Sequence, residues 1–296
     1  MKVNASIITT IVVATLICVA PLPASDVSHH PEEKPAHPAT SAPCPNGRNW
    51  WTDLDKEKKL LYTNIAAASV IGLWGMSEWD YGSIGWYNAN EGWFEQDTKY
   101  GGADKVGHFW ISYALADGLS ALYKSWEYDQ DRANRLALVS SWTIVTAMEL
   151  MDATSETQGF AWEDIVMNSF GVLASAVMHR WPGLDRKIDF RIEYVFNEAI
   201  DGFITDYSNI FYSIVVKPAG FDYISNNIFD YLELHGGYYT RGYTDNDDDR
   251  TRSFYVGIGI NFSKLFQQSG WHKTAKVLEY LQPPYTVPKA SADLSR

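Results

Sequence analysis

Cysteine is scarce in this chain of 296 residues: there are two, Cys18 and Cys44. Cys18 lies in an apolar N-terminal segment that reads as an export signal, so Cys44 alone is left after cleavage. One thiol excludes an internal disulfide and a cysteine-based zinc site. Basic side chains are also few, 24 against 36 acidic ones, for a formal net charge of −12. That balance does not fit a phosphate backbone, and no nucleic-acid partner is expected. No P-loop, dinucleotide fingerprint or nucleophile elbow occurs. No His-x-x-x-His pair occurs either, and one histidine among carboxylates suits a metal only loosely, so neither metal nor cofactor is expected. The acidic run from Asp245 to Asp249 lacks the central glycine of a calcium loop, and position twelve is Val256 rather than glutamate. It reads as a solvated hairpin tip.

Aromatic residues, in contrast, are abundant: 12 Trp, 18 Tyr and 13 Phe. Trp and Tyr favour places that are apolar on one side and wet on the other, such as a membrane interface or a ligand groove. The N-terminus carries Lys2, an apolar stretch from Ile7 to Ala20, and small residues at Ala24 and Ser25. This pattern predicts a signal peptide over residues 1–24. Ile17 stands where a lipidation signal at Cys18 would need a small residue, so lipidation there is not expected. Residues 25–49, rich in Pro, Ser, Ala and His, read as a disordered linker, and His29, His30 and His37 as part of a flexible tail.

Four apolar segments follow. Leu60 to Ser77 approaches the ~20 residues that cross a bilayer. The others run from Asp104 to about Tyr123, from Leu136 to Met151 and from Glu163 to Arg180, where Trp181, Pro182 and Gly183 stop the last. Tyr81 to Ala103 is glycine-rich and reads as loop, and Trp126 to Arg135 as an exposed connection. Arg191 to Phe203 reads as a polar helix. Phe254, Val256, Ile258, Ile260 and Phe262 then alternate with Tyr255, Gly257, Gly259 and Asn261, the period of a half-buried strand. It is expected to pair with Tyr231 to Tyr243, and Ile210 to Val216 offers a third strand. The expected fold is mainly α: about four apolar helices, membrane-associated, over 50–203; a small antiparallel β-hairpin sheet over 204–288; and a disordered tail over 289–296.

Chemistry concentrates on three of the helices. Asp104, Lys105 and His108 share the second, with Asp104 and His108 four apart and so on one face. Glu149 and Asp152 end the third. Asp164 and Asn168, again four apart, sit on the fourth, with Gly171 continuing their stripe. Burying such groups unpaired costs several kcal/mol each, of the order found for isolated polar and ionic groups in proteins. They must therefore be paired, solvated or used. Facing the polar stripes of the second and fourth helices toward each other solves this, with Gly107 and Gly171 allowing close approach.

The run Glu91-Gly92-Trp93-Phe94, Thr98, and Gly101-Gly102-Ala103-Asp104-Lys105-Val106-Gly107-His108 resembles the YfiM-like family of predicted periplasmic lipoproteins. Glu149, Asp152, Gly159, Phe160, Asp164, Asn168 and Gly171 agree, as do Gly242-Tyr243, Tyr255 to Phe262 and Leu281 to Thr286. The Asp-Lys-x-x-His start and the later Asp-x-x-x-Asn-x-x-Gly helix are also similar to VanZ-like membrane proteins. The family often has Ser where this chain has Ala161, which removes a side-chain cap worth ~1 kcal/mol. The resemblance implies a periplasmic or membrane location in a Gram-negative envelope and no reaction. Two functions follow as expectations. The first is a membrane-associated protein that acts by binding or structure, with lipid as partner. The second is an envelope hydrolase or transferase acting on a phosphate-bearing lipid. In the second, His108 is general acid or base, Asp104 or Asp164 orients it, and Lys105 stabilises an anionic oxygen.

Overall fold

The computed structural model of the protein describes residues 50–196, 206–222, 224, 228–243 and 250–294. The expected signal segment and linker lie outside them, as do most of the expected polar helix after Phe196 and the acidic hairpin tip. Helix α1 spans Lys56–Glu78, capped by Asp55, whose side chain accepts from the Lys58 amide. Helix α2 spans Ala103–Ser125 and starts after Gly102, a left-handed residue at φ 83°. A Cβ at Gly102 would lie 2.3 Å from the Phe94 ring and 2.6 Å from the Trp93 carbonyl, so glycine is needed there. Helix α3 spans Gln130–Asp152, longer at its start than expected because Asp129 caps it through the Arg132 amide. Helix α4 spans Trp162–Arg180 from Ala161 with no side-chain cap, and the short α5 spans Pro182–Asp185.

The helices pack through small and polar residues. A Cβ at Gly171 of α4 would sit 2.1 Å from the Phe109 carbonyl of α2, so the two backbones nearly touch there. Gly107 does not serve that contact; it faces Tyr207 and Tyr212 of the sheet region. Ser120 donates to Asn134 at 2.6 Å, Tyr123 to Ser140 at 2.9 Å, and Ser141 to the Ser112 carbonyl at 2.9 Å. Ala116, Ala133 and Ala137 are fully buried between these bonds. Leu119, Tyr123 and Ile144 form a buried apolar cluster, but many of the large apolar side chains point outward. Leu61, Ile65, Leu73 and Met76 on α1, Val139 and Trp142 on α3, and Phe170 and Leu173 on α4 are all exposed, Leu73 by 67%. Among the described residues, α1 is the one helix long and apolar enough to cross a membrane.

The second half of the chain overturns the expected fold class. Six strands form one mixed sheet in the order β5-β1-β2-β3-β4-β6, not a small C-terminal hairpin. They are β1 Ile188–Tyr194, β2 Ile210–Val216, β3 Leu232–Arg241, β4 Thr251–Ile260, β5 Leu281–Gln282 and β6 Lys289–Asp293, with α6 Phe262–Gln268 and α7 His272–Val277 between β4 and β5. All neighbours are antiparallel except β1 and β5, which pair in parallel at Ile192 and Leu281. Strand β1 occupies part of the range expected to be helical. Its sequence alternates Ile, Phe, Ile, Tyr with Asp, Arg, Glu, and the charges are inside. Strand β6 forms on the edge of β4 within the expected tail.

The expected pairing of β3 with β4 is present, with Leu234 opposite Ile258 and Tyr238 opposite Phe254. The expected burial is reversed. Phe254, Val256, Ile258 and Ile260 are exposed, as are Leu234 and Ile214 on the same face. That face meets the rest of the protein at one end, where Tyr212, Ile192 and Tyr194 pack on Ala103 and around Val106 and Trp110 of α2. The opposite face is buried and largely polar, with Val215 and Tyr255 among its charged groups. There Arg191 binds Asp189, Glu233 and Gln282, Lys217 reaches Asp189, and Lys289 pairs with Glu193 at 2.6 Å.

Candidate functional site

The start of α2 sets the site. Gly102 turns the chain so that Asp104 and Lys105 enter the first turn pointing inward, and both are buried. The Lys105 ammonium lies 2.5 Å from Glu91, 2.8 Å from Asp104 and 2.8 Å from Asp164. A buried lysine is tolerated when several partners share its charge. Burial alone would lower its pKa, but Asp104, Asp164 and Glu91 outweigh that and hold it above the usual lysine range.

One turn along α2, His108 faces α3 and α4. Its Nδ1 is 3.3 Å from Glu149 Oε1 and 3.2 Å from Asn168 Oδ1, and its Nε2 is 3.7 Å from Asp164 Oδ2. Ser112, four residues on, donates to the same Asn168 oxygen at 2.9 Å. Burial pushes the Glu149 carboxyl well above the carboxylate range, and the charges of Asp164 and Asp152 add to it. Burial likewise raises Asp152, to about 6, with the Tyr81 hydroxyl and His108 opposing part of the effect.

All seven residues singled out from the sequence thus meet in one buried place: Asp104, Lys105, His108, Glu149, Asp152, Asp164 and Asn168. The i,i+4 spacing on α2 and α4 was a sufficient guide to which groups face one another. Glu91 belongs to the same cluster and was not singled out, because it stands in a loop where no helical period marks it. Chemically, the cluster holds five carboxylates against two groups able to carry positive charge. Lys105 already serves three of those carboxylates, so it is poorly placed to stabilise an incoming anion, and the surplus negative charge repels a phosphate.

Two further buried clusters escaped sequence reasoning. In the bundle, Asp117 accepts from Ser175 at 2.6 Å and Tyr280 at 2.7 Å, with His179 Nε2 at 2.9 Å. Burial works against its ionised form, but these three partners hold its pKa below the normal value. Ser175 and His179 both address the aspartate, so the trio is a tie between α2, α4 and the segment before β5 rather than a relay. The other is the Arg191 network of the sheet, hidden because charged residues in a strand read as solvent-facing.

No curated protein and no solved structure matches the chain. Residues 90–180, which include Glu91 and run through α2, α3 and α4, match a family described as predicted periplasmic lipoprotein (DUF2279). The match covers the whole buried cluster and places the chain among exported proteins of the cell envelope, under a description that names a location and no reaction.

Proposed function

We propose that this protein is a membrane-associated envelope protein that acts by binding and structure, with lipid as its partner and the acid–histidine cluster as the internal tie of its helices. The observation that carries this reading is the inverted polarity of the bundle. Its interior is rich in Ser, Asn, Ala and charged groups beside one apolar cluster around Leu119, Tyr123 and Ile144, while Leu61, Ile65, Leu73, Val139, Phe170 and Leu173 face outward. In water that arrangement exposes apolar surface at ~25 cal/mol per Å². Against lipid it is favourable, because helices there associate through small and polar residues and turn their large apolar ones to the chains. Soluble monomers rarely expose apolar patches of this extent.

Purified mature protein, with the signal removed, should float with phosphatidylcholine–phosphatidylglycerol vesicles and need detergent for extraction from cell membranes. Replacing Leu61, Ile65 and Leu73 together with serine should abolish most of the flotation while leaving the circular-dichroism spectrum unchanged. A mature chain that stays monodisperse in detergent-free buffer and does not float rejects the reading.

A further inference from the structure

We propose that His108, Glu149 and Asp164 form a binding site for one divalent first-row transition ion, of the Mn2+ or Zn2+ kind. One ligand atom from each of the three lies within 4.8 Å of the other two, and all three residues are buried. The closest approaches involve different ring nitrogens, Nδ1 to Glu149 at 3.3 Å and Nε2 to Asp164 at 3.7 Å. With Nδ1 turned to Asn168 Oδ1 at 3.2 Å, Nε2 is the nitrogen left to ligate; its separation from Asp164 is close to the edge of a coordination shell, and Glu149 must shift slightly to join it. Metal–ligand bonds of roughly 2.0–2.2 Å put neighbouring ligand atoms about 3.0–3.5 Å apart.

Charge and pairing point the same way. Glu91, Asp104 and one oxygen of Asp164 are answered by Lys105. Glu149, Asp152 and the other Asp164 oxygen remain against a single imidazole. Protons shared among these groups would make hydrogen bonds, yet Glu149 Oε1, in a residue only 1% exposed, lacks a hydrogen-bond partner and is aimed at the His108 ring. Asn168 Nδ2 in the same shell, fully buried, is also unpartnered. A cation satisfies the carboxylate oxygens, and an oxygen ligand on that cation would give the Asn168 amide an acceptor. Asn168 Oδ1, itself fixed by Ser112, orients the imidazole as the outer partners of ligating histidines do. One nitrogen with two carboxylate oxygens and no sulfur is a set for a hard or borderline divalent ion. The other group of suitable spacing, Glu91, Asp104 and Asp164, already encloses the Lys105 ammonium.

The test is equilibrium dialysis of the chelator-treated full mature protein in detergent against Mn2+, with pulsed electron paramagnetic resonance of the bound ion. The expected result is saturable uptake of one Mn2+ per chain carrying an imidazole-nitrogen coupling that His108→Ala removes. Glu149→Gln should weaken uptake by about tenfold or more, the scale on which metal-site partners act, without lowering the melting temperature of the chelated protein. That separation keeps the test decisive even where His108→Ala fails to fold. No saturable uptake, a bound ion without nitrogen coupling, a coupling that survives His108→Ala, or wild-type affinity in Glu149→Gln would each overturn the proposal. None of these outcomes bears on flotation, so this inference and the lipid reading stand or fall separately.

Discussion

At the scale of single residues, this protein buries a number of ionisable groups and answers them locally. Lys105 is the clearest case, one ammonium among three carboxylates from the loop before α2, from α2 itself and from α4. His235 is handled the other way. It is buried on the polar face of β3, and burial lowers its pKa to about 4, with the charges of Arg191 and Lys289 adding to the effect. Glu233 lies 3.9 Å away and would favour the imidazolium, but its carboxylate is already engaged by Arg191. The folded state therefore holds His235 neutral. Between pH 6.5 and about 4 the unfolded chain takes up a proton that the folded chain refuses. The contribution of this residue to stability is whole above that window and is lost as pH falls through it. Thermal melts across the window should show His235→Gln losing less stability than wild type on acidification. Parallel losses would mean that His235 is solvated or charged in the fold. Nothing in the sequence marks His235 as buried, because its strand neighbours Glu233 and Gly236 give no apolar period around it.

At the scale of elements, the helices were legible and the sheet was half legible. Apolar runs between loops marked four helices, though α3 starts at Gln130, inside what read as an exposed connection, and Ala161 correctly implied an uncapped start for α4. Strands β3 and β4 were readable from alternation, as was their pairing. Which face is buried was not readable. The reading presumes that apolar residues face inward, and here Val256 is 66% exposed while Arg191 is 1% exposed. The same presumption concealed β1, whose Asp189, Arg191 and Glu193 look like surface residues. It also concealed β5 and β6, which are too short or too polar to carry a period and form only because β1 and β4 offer edges. Close packing of α2 on α4 yields a sharp contrast between two glycines. Gly171→Ala would drive a methyl group into the Phe109 carbonyl, and the loss should be about 1–3 kcal/mol in chemical denaturation, the range for overpacking. Gly118→Ala on the exposed side of α2 meets open space and should instead stabilise by about 0.5–1 kcal/mol through helix propensity. Equal effects from the two would mean that α2 and α4 are not in backbone contact.

At the scale of the whole molecule, many polar groups lie inside both the bundle and the sheet, and many large apolar ones lie outside. The acidic net charge and aromatic load were compatible with an envelope protein, but this inversion is a property of the fold and not of composition. Location also depends on the leader. The matched family is described as lipoproteins, yet Ile17 stands before Cys18 in this chain. Intact mass of the protein recovered from the envelope should correspond to a start near Ala24 or Ser25. A chain still starting at Met1, or one carrying diacylglycerol on Cys18, would show that the leader was misread. Delivery across a membrane gives the parallel pairing of β1 with β5 a further meaning. A translocating chain emerges from its N-terminus, so α1 to α4 and β1 are available long before Leu281 arrives to lie beside Ile192. Until then β1 has one open edge, and Tyr280 has not reached Asp117. Pairings so distant in sequence form late and slowly. The bundle must therefore wait, half assembled, for the last stretch of its own chain, and that waiting period is when it would most need a chaperone or a membrane to cover it.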